Sequence, residues 1–132
     1  HHRSSAASDV YKRQIKSLVD FIKQKKTISI CFPRNINNYK KFVDNVNPDI
    51  ISIDYNVDPS IIRDTINIPV QGGLDPKILL QNKEIVRNEV TKYLKTFDKK
   101  RYIFNLGHGV LPETNPDMVR YLVDEVRSFN GQ

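Results

Sequence analysis

The sequence has one cysteine, one methionine and no tryptophan in 132 residues. A lone thiol, Cys31, excludes an internal disulfide framework and a zinc site built from several thiolates. No apolar run approaches the ~18 residues that a membrane-spanning helix needs. No signal peptide is visible, so a reduced, soluble, cytoplasmic setting without membrane contact is expected. Glycine is scarce, and four of the five fall at Gly72-Gly73 and at Gly107 and Gly109. There is no Gly-x-Gly-x-x-Gly after the first predicted strand and no Walker-type loop, so nucleotide binding has no motif to rest on. Histidine is confined to His1, His2 and His108.

A strong excess of one charge is also lacking. The chain carries a formal +6 from 21 basic and 15 acidic residues. Setting aside Arg3, Lys12, Arg13 and Asp9 leaves 18 against 14 in residues 15–132, a net +4. The lysines are scattered apart from short clusters such as Lys99-Lys100-Arg101, as on a solvated surface. Such a pattern favours small anionic ligands and gives no basis for nucleic acid as a partner. Residues 1–14 show no apolar period and resemble a translated adaptor. They are expected to be a non-native, disordered segment outside the fold.

The rest alternates strand and helix signals. Apolar spacing over Gln14–Lys26 predicts an opening helix, with Ile15, Leu18, Val19, Phe21 and Ile22 on its inner side. Thr27–Phe32, Asp49–Asp54, Ile68–Gln71 and Tyr102–Leu106 read as four strands, rich in β-branched residues and bounded by polar turns. Asn37-Asn38 caps a second helix that Asn47-Pro48 stops. Asp58-Pro59, Asp75-Pro76 and Asn115-Pro116 repeat one signal, a capping side chain followed by proline at the first helical position. A long helix is predicted over Lys83–Thr96 and a last one through Val126. Four βα units predict an α/β fold with a parallel sheet of about four strands, half of a (β/α)₈ barrel or a small doubly wound sheet.

In either architecture the chemistry lies at the C-terminal strand ends. Those ends carry Arg34, then Asp54, then Gln71 with Gly72-Gly73, then Asn105 with Gly107, His108 and Gly109. His108 can hydrogen-bond a ligand carboxylate or carry a proton near neutral pH, or it can be held by a neighbouring loop. Its flanking glycines permit close backbone approach or positive φ. Arg34 could grip a carboxylate bidentately or face solvent. Asp54 could anchor ring N–H groups or bond loop amides. Asp75 reads as a helix cap and Cys31 as core.

Phe104-Asn105-Leu106-Gly107-His108-Gly109-Val110, followed by Pro112-Glu113-Thr114 and Asn115-Pro116, resembles the C-terminal signature of the uroporphyrinogen decarboxylase family. Val70–Pro76 is similar to that family's Gln-Gly-Asn-Leu-Asp-Pro turn, and Ile51–Tyr55 to its strand ending in Asp-Trp. Gly73 stands where the family has Asn, and Tyr55 where it has Trp. The likeness spans Ile15 to Phe129. It implies that residues 15–132 are the C-terminal half of a TIM barrel. The implied reaction is removal of CO₂ from the four acetate side chains of uroporphyrinogen III, giving coproporphyrinogen III in haem biosynthesis. The family uses no metal or other cofactor, takes a small-molecule tetrapyrrole as substrate and commonly forms homodimers.

Of the family's substrate contacts, only the signature histidine carries over, as His108, a contact rather than the catalytic acid. Asp54, Gln71, Asn105 and Arg34 are further rim candidates. The family's arginine-rich loop and key aspartate have no counterpart here, so no catalytic residue is assigned. The chain alone is expected to be inactive, with strand edges that favour self-association. Two other readings are a corrinoid-dependent methyltransferase relative, which calls for a histidine–cysteine zinc site, and a non-enzymatic basic binding module.

Overall fold

The computed structural model describes residues 5–130. Helix α1 (Ser5–Gln24) leads into strand β1 (Ile30–Cys31), then α2 (Tyr39–Val46) and β2 (Ile50–Ile53). Next come α3 (Pro59–Thr65), β3 (Val70–Gly72) and a 3₁₀ turn (Pro76–Leu80). Helix α4 (Lys83–Thr96), β4 (Tyr102–Ile103) and α5 (Pro116–Ser128) complete the series. The four strands form one parallel sheet in the order β1-β2-β3-β4. Crossovers between parallel neighbours are right-handed as a rule, which puts the intervening helices on one face. This is the arrangement of a segment of a (β/α)₈ barrel, as the βα count predicted.

The register decides which residues share a face. Ile30 pairs with Ile50, Ser52 with Gln71, and Gln71 with Ile103. Side chains alternate along a strand, so Ile30, Ser52, Gln71 and Ile103 stand on one face and Cys31, Ile51, Val70 and Tyr102 on the other. The second face is the core. Ile51, Ile53, Val70 and Leu74 are buried there under Phe42 and Val46 of α2, Ile62 of α3, and Val86, Val90 and Tyr93 of α4. The first face has no helix over it, and Ile30 and Ile103 are 50% and 43% exposed.

The cap signals form as read. The carboxylates of Asp58 and Asp75 and the amide oxygen of Asn115 accept the N–H groups of Ser60, Lys77 and Asp117, each at 2.9 Å. Asn38 accepts from Lys41 N–H at 2.9 Å and starts α2. Asn47, in the left-handed region at φ 54°, ends it by donating its N–H to the Val43 carbonyl at 2.8 Å.

Three expectations differ. Residues 5–14, expected to be disordered, form the first turns of α1, while residues 1–4 of that segment lie outside the described residues. The stretch Ser5–Gln14 holds no Gly or Pro and several good helix formers, so it extends the helix without an apolar stripe. Of the apolar residues expected on the inner side of α1, Val19 is buried, but Leu18 and Phe21 are exposed. The strands are also shorter than predicted, two to four residues each. Pro33, Pro48 and Pro69 offer no ladder N–H at the strand borders. A single bridge between Leu74 and Leu106 resumes the β3–β4 pairing beyond the Gly72-Gly73 turn.

At the N-terminal ends of the strands, Ser29 and Asp49 bond reciprocally. The Asp49 carboxylate accepts from Ser29 N–H at 2.8 Å and Ser29 Oγ at 3.0 Å, while Asp49 N–H donates to Ser29 Oγ at 3.1 Å. The two bonds from Ser29, with a smaller contribution from Lys23, hold the Asp49 carboxyl below the usual carboxylate range. A depressed folded-state value means stability that is present above the unfolded value, about 4, and lost as pH falls through the folded one. Denaturant midpoints measured from pH 7 down to 3 should therefore fall below about pH 4. Asp49→Asn, which cannot titrate, should flatten that part of the curve.

Candidate functional site

The uncovered face of the sheet and the strand ends line an open cleft of about 370 Å³. Ile30 and Phe32 come from β1 and its exit, Ser52 from β2 and Gln71 from β3. Asn105, Leu106, His108 and Gly109 come from the segment after β4. Three predicted site residues thus meet in one cleft: Gln71, Asn105 and His108. Ser52, Ile30 and Phe32 were not predicted. The available signal was the period of two along β1 and β2, which puts Ile30 and Phe32 on one side of Cys31, and Ser52 two residues before Asp54.

The turn carrying His108 is held by backbone. Gly107 N–H donates to the Leu74 carbonyl at 2.7 Å. A Cβ on Gly107 would lie 2.6 Å from Tyr55 N and 3.1 Å from the Asp54 carbonyl carbon. The turn therefore crosses the end of β3 and rests on the Asp54–Tyr55 peptide beyond β2. Gly72 makes room for that crossing, since a Cβ there would meet the carbonyl oxygens of Ile53 and Leu106, both at 3.2 Å. Gly107 needs its missing side chain for this approach, whereas nothing lies within 4 Å of a Cβ on Gly109. Positive φ, open to both of the glycines around His108 from sequence, occurs instead at Gly72 and Gly73.

His108 is exposed on the cleft rim, and its Nδ1 accepts from Gly109 N–H at 2.9 Å. In the neutral ring this leaves the proton on Nε2, a donor free to turn toward a ligand. Gln71 Nε2 donates to Ser52 Oγ at 3.4 Å, a bond between neighbouring strands on the cleft floor. Asn105 accepts Leu106 N–H at 2.9 Å through its side-chain oxygen, leaving its amide NH₂ group as a donor. The polar wall is thus made of neutral side chains and one imidazole, facing the apolar Ile30 and Phe32. It suits a ligand with a hydrophobic body and hydrogen-bond acceptors at its edge.

Asp54 and Arg34 are placed elsewhere. Asp54 is buried, at 5% exposure, and lines a separate depression of about 620 Å³ between the loops after β1 and β2. Its carboxylate accepts the N–H of Tyr55 at 2.8 Å, and its own N–H donates to the Tyr39 hydroxyl at 3.0 Å. Arg34 is exposed, does not line the His108 cleft and has no ion-pair partner among the described residues. Cys31 lies on the helix-covered face, across the sheet from Ile30 and Phe32. Burial first, and then Asp49, push its thiol up, away from the thiolate a metal would take.

Two tyrosines secure the turn after β3. Tyr102 donates to the Gly72 carbonyl and Tyr93 to the Gly73 carbonyl, both at 2.7 Å. Tyr102 also stacks on Phe97, with ring centres 4.4 Å apart. Burial pushes both hydroxyls up, that of Tyr93 to about 12 with Glu89 and Asp75 adding to the effect, that of Tyr102 further still. Gly73 sits at φ +107°, and a Cβ there would lie 2.9 Å from both Ile53 Cδ1 and Tyr93 Cε1. Glycine at this position, in place of the Asn seen in the resembling turn, leaves that space to Ile53 and Tyr93.

Four parallel βα units with a polar cleft at the strand ends define the class, a segment of an α/β barrel. The particular family follows from comparison. The model of the uroporphyrinogen decarboxylase family matches residues 5–129, and the chain belongs to that family. A relative in Rickettsia felis, named uroporphyrinogen decarboxylase, is 42% identical over 102 residues, covering 76% of this chain and 30% of the relative. Proteins of the same name in Rickettsia bellii and Rickettsia canadensis are 43% identical over 102 residues and 41% over 106. The chain spans about 30% of the length of these curated relatives.

The two glycines around His108 should respond unequally to substitution. Gly107→Ala forces a methyl against backbone and should cost about 1–3 kcal/mol, the range of overpacking. Gly109→Ala should stay within about 0.5 kcal/mol of the parent, as for an open surface position. Chemical denaturation of both variants checks the pair, and equal effects would contradict the close approach described.

Proposed function

We propose that this chain forms one wall of the substrate cleft of a uroporphyrinogen decarboxylase, acting on the acetate side chains of uroporphyrinogen III. The observation that carries the reading is the convergence of Gln71, Asn105 and His108 on one cleft, in a chain of this family. The reaction needs a proton on a pyrrole carbon. The positive charge on the ring then accepts the electron pair of the breaking C–C bond as CO₂ leaves. Protonation of the exposed methylene carbon gives a methyl group, and loss of the proton first added to the ring restores the pyrrole. A site for this chemistry binds many carboxylates, excludes water and supplies an acid.

In this reading His108 Nε2–H bonds a substrate carboxylate, and Gln71 and Asn105 offer further neutral donors. Ile30 and Phe32 contact the macrocycle. No carboxylate, lysine or arginine lines the cleft, so the acid and the cationic anchors come from groups outside these residues. Asp54, behind the rim, does not serve as the acid. A homodimeric parent in the cytoplasm and a cofactor-free reaction belong to the same proposal, supported by the family resemblance. No helix among the described residues is long and apolar enough to cross a membrane. The opposed faces of Cys31 and His108 weigh against the zinc-dependent methyltransferase reading.

Fluorescence titration with uroporphyrin, the stable oxidised form of the substrate, tests the cleft. His108→Ala should weaken binding about tenfold or more, the loss expected when one hydrogen bond to a charged group is removed. The chain incubated with uroporphyrinogen should release no coproporphyrinogen. Binding unaffected by His108→Ala would refute the assignment of the cleft, and turnover by the chain alone would refute the absence of the acid from it.

A further inference from the structure

Asp54 and Tyr39 lie outside the cleft, yet hydrogen bonds and one close backbone contact link them to the turn that carries His108. The Tyr39 hydroxyl donates to the Pro33 carbonyl at 3.3 Å and accepts from Asp54 N–H at 3.0 Å. The Asp54 carboxylate then accepts Tyr55 N–H at 2.8 Å. That same Tyr55 nitrogen packs against Gly107, 2.6 Å from where a Cβ on that glycine would be. Gly107 is buried, and the next residue is His108. The loop after β1, the end of β2 and the turn after β4 are thereby locked in one stack. Asp54 stays 95% buried within it, consistent with its 5% exposure, and has no ion-pair partner among the described residues.

We infer that Asp54 and Tyr39 are positioning residues for His108: they fix the Asp54–Tyr55 peptide on which the Gly107–His108 turn rests. The inference builds on the proposed cleft by saying what aims its histidine. A carboxylate that tethers its neighbour's N–H keeps that peptide from rotating, and the turn above has no side chain at Gly107 to take up a shift. Loss of the tether moves the platform, and His108 moves with it. The rim aspartate therefore acts through the backbone rather than on the ligand.

The test needs no ligand, so it stands or falls separately from the tetrapyrrole reading. In the full chain, the His108 ring and the Gly109 amide are followed by NMR across a pH titration, beside thermal unfolding. Tyr39→Phe removes only the hydroxyl, and Asp54→Ala removes the tether. Asp54→Asn keeps an oxygen that can accept from Tyr55 N–H. The expected result is displaced His108 and Gly109 resonances in Tyr39→Phe and Asp54→Ala, with a return toward the parent in Asp54→Asn. Resonances unchanged in folded Tyr39→Phe and Asp54→Ala overturn the inference. Should Asp54→Ala not fold, Tyr39→Phe decides alone: displaced signals support the inference and unmoved signals refute it. An Asp54→Asn variant displaced as far as Asp54→Ala also counts against it, because the tether would then not be what matters.

Discussion

A parallel sheet has two faces, and in this chain the helices cover one of them. That constraint explains the distribution of residue types along every strand. On the covered side, Ile51, Ile53, Val70 and Leu74 are buried in a continuous apolar layer with α2, α3 and α4. On the other side the same strands present Ile30, Ser52, Gln71 and Ile103, a mixture of apolar and polar side chains. The cleft is what remains of the open face where the strands end. Its polarity follows from alternation, because each strand supplies an apolar residue to the core and the next one to the cleft.

The geometry at the rim depends on absent side chains. Gly72 lets the Leu106 carbonyl approach β2, and Gly107 lets the β4 turn settle on the Tyr55 amide. These contacts are between backbones, which have few ways to yield. The placement of His108 is therefore decided by main chain and by the groups that bond it. Side chains that look functional by type and position divide accordingly. Gln71 and Asn105 face the cleft, Asp54 supports it from behind, Asp75 caps a helical turn, and Arg34 projects to solvent.

Much of this was legible in the sequence. Asp58-Pro59, Asp75-Pro76 and Asn115-Pro116 each signal a cap through local chemistry alone, and each forms. The order of strands and helices follows from periodicity. The cleft contribution of Gln71, Asn105 and His108 follows from their place at strand ends. Less accessible were features set by tertiary contact. The helical start at Ser5 rests on propensity without an apolar stripe. The short ladders reflect prolines and turns acting across strands. The inward role of Asp54 depends on Tyr39, fifteen residues away, and the need for Gly107 but not Gly109 depends on what lies opposite each. The hydroxyls of Tyr93 and Tyr102 reach carbonyls 20 and 30 residues away, a pairing no local pattern announces.

Those two hydroxyls give the strands a chemical direction. A buried phenol whose folded-state value is raised contributes stability that is complete below its unfolded value, about 10, and is lost as pH rises through the folded one. The Gly72-Gly73 turn, at the C-terminal end of β3, is thus the alkali-sensitive end of the sheet. The Ser29–Asp49 brace, at the opposite end, is the acid-sensitive one. Acid acting on the Ser29–Asp49 brace and base acting on the two tyrosines therefore load opposite ends of the same sheet.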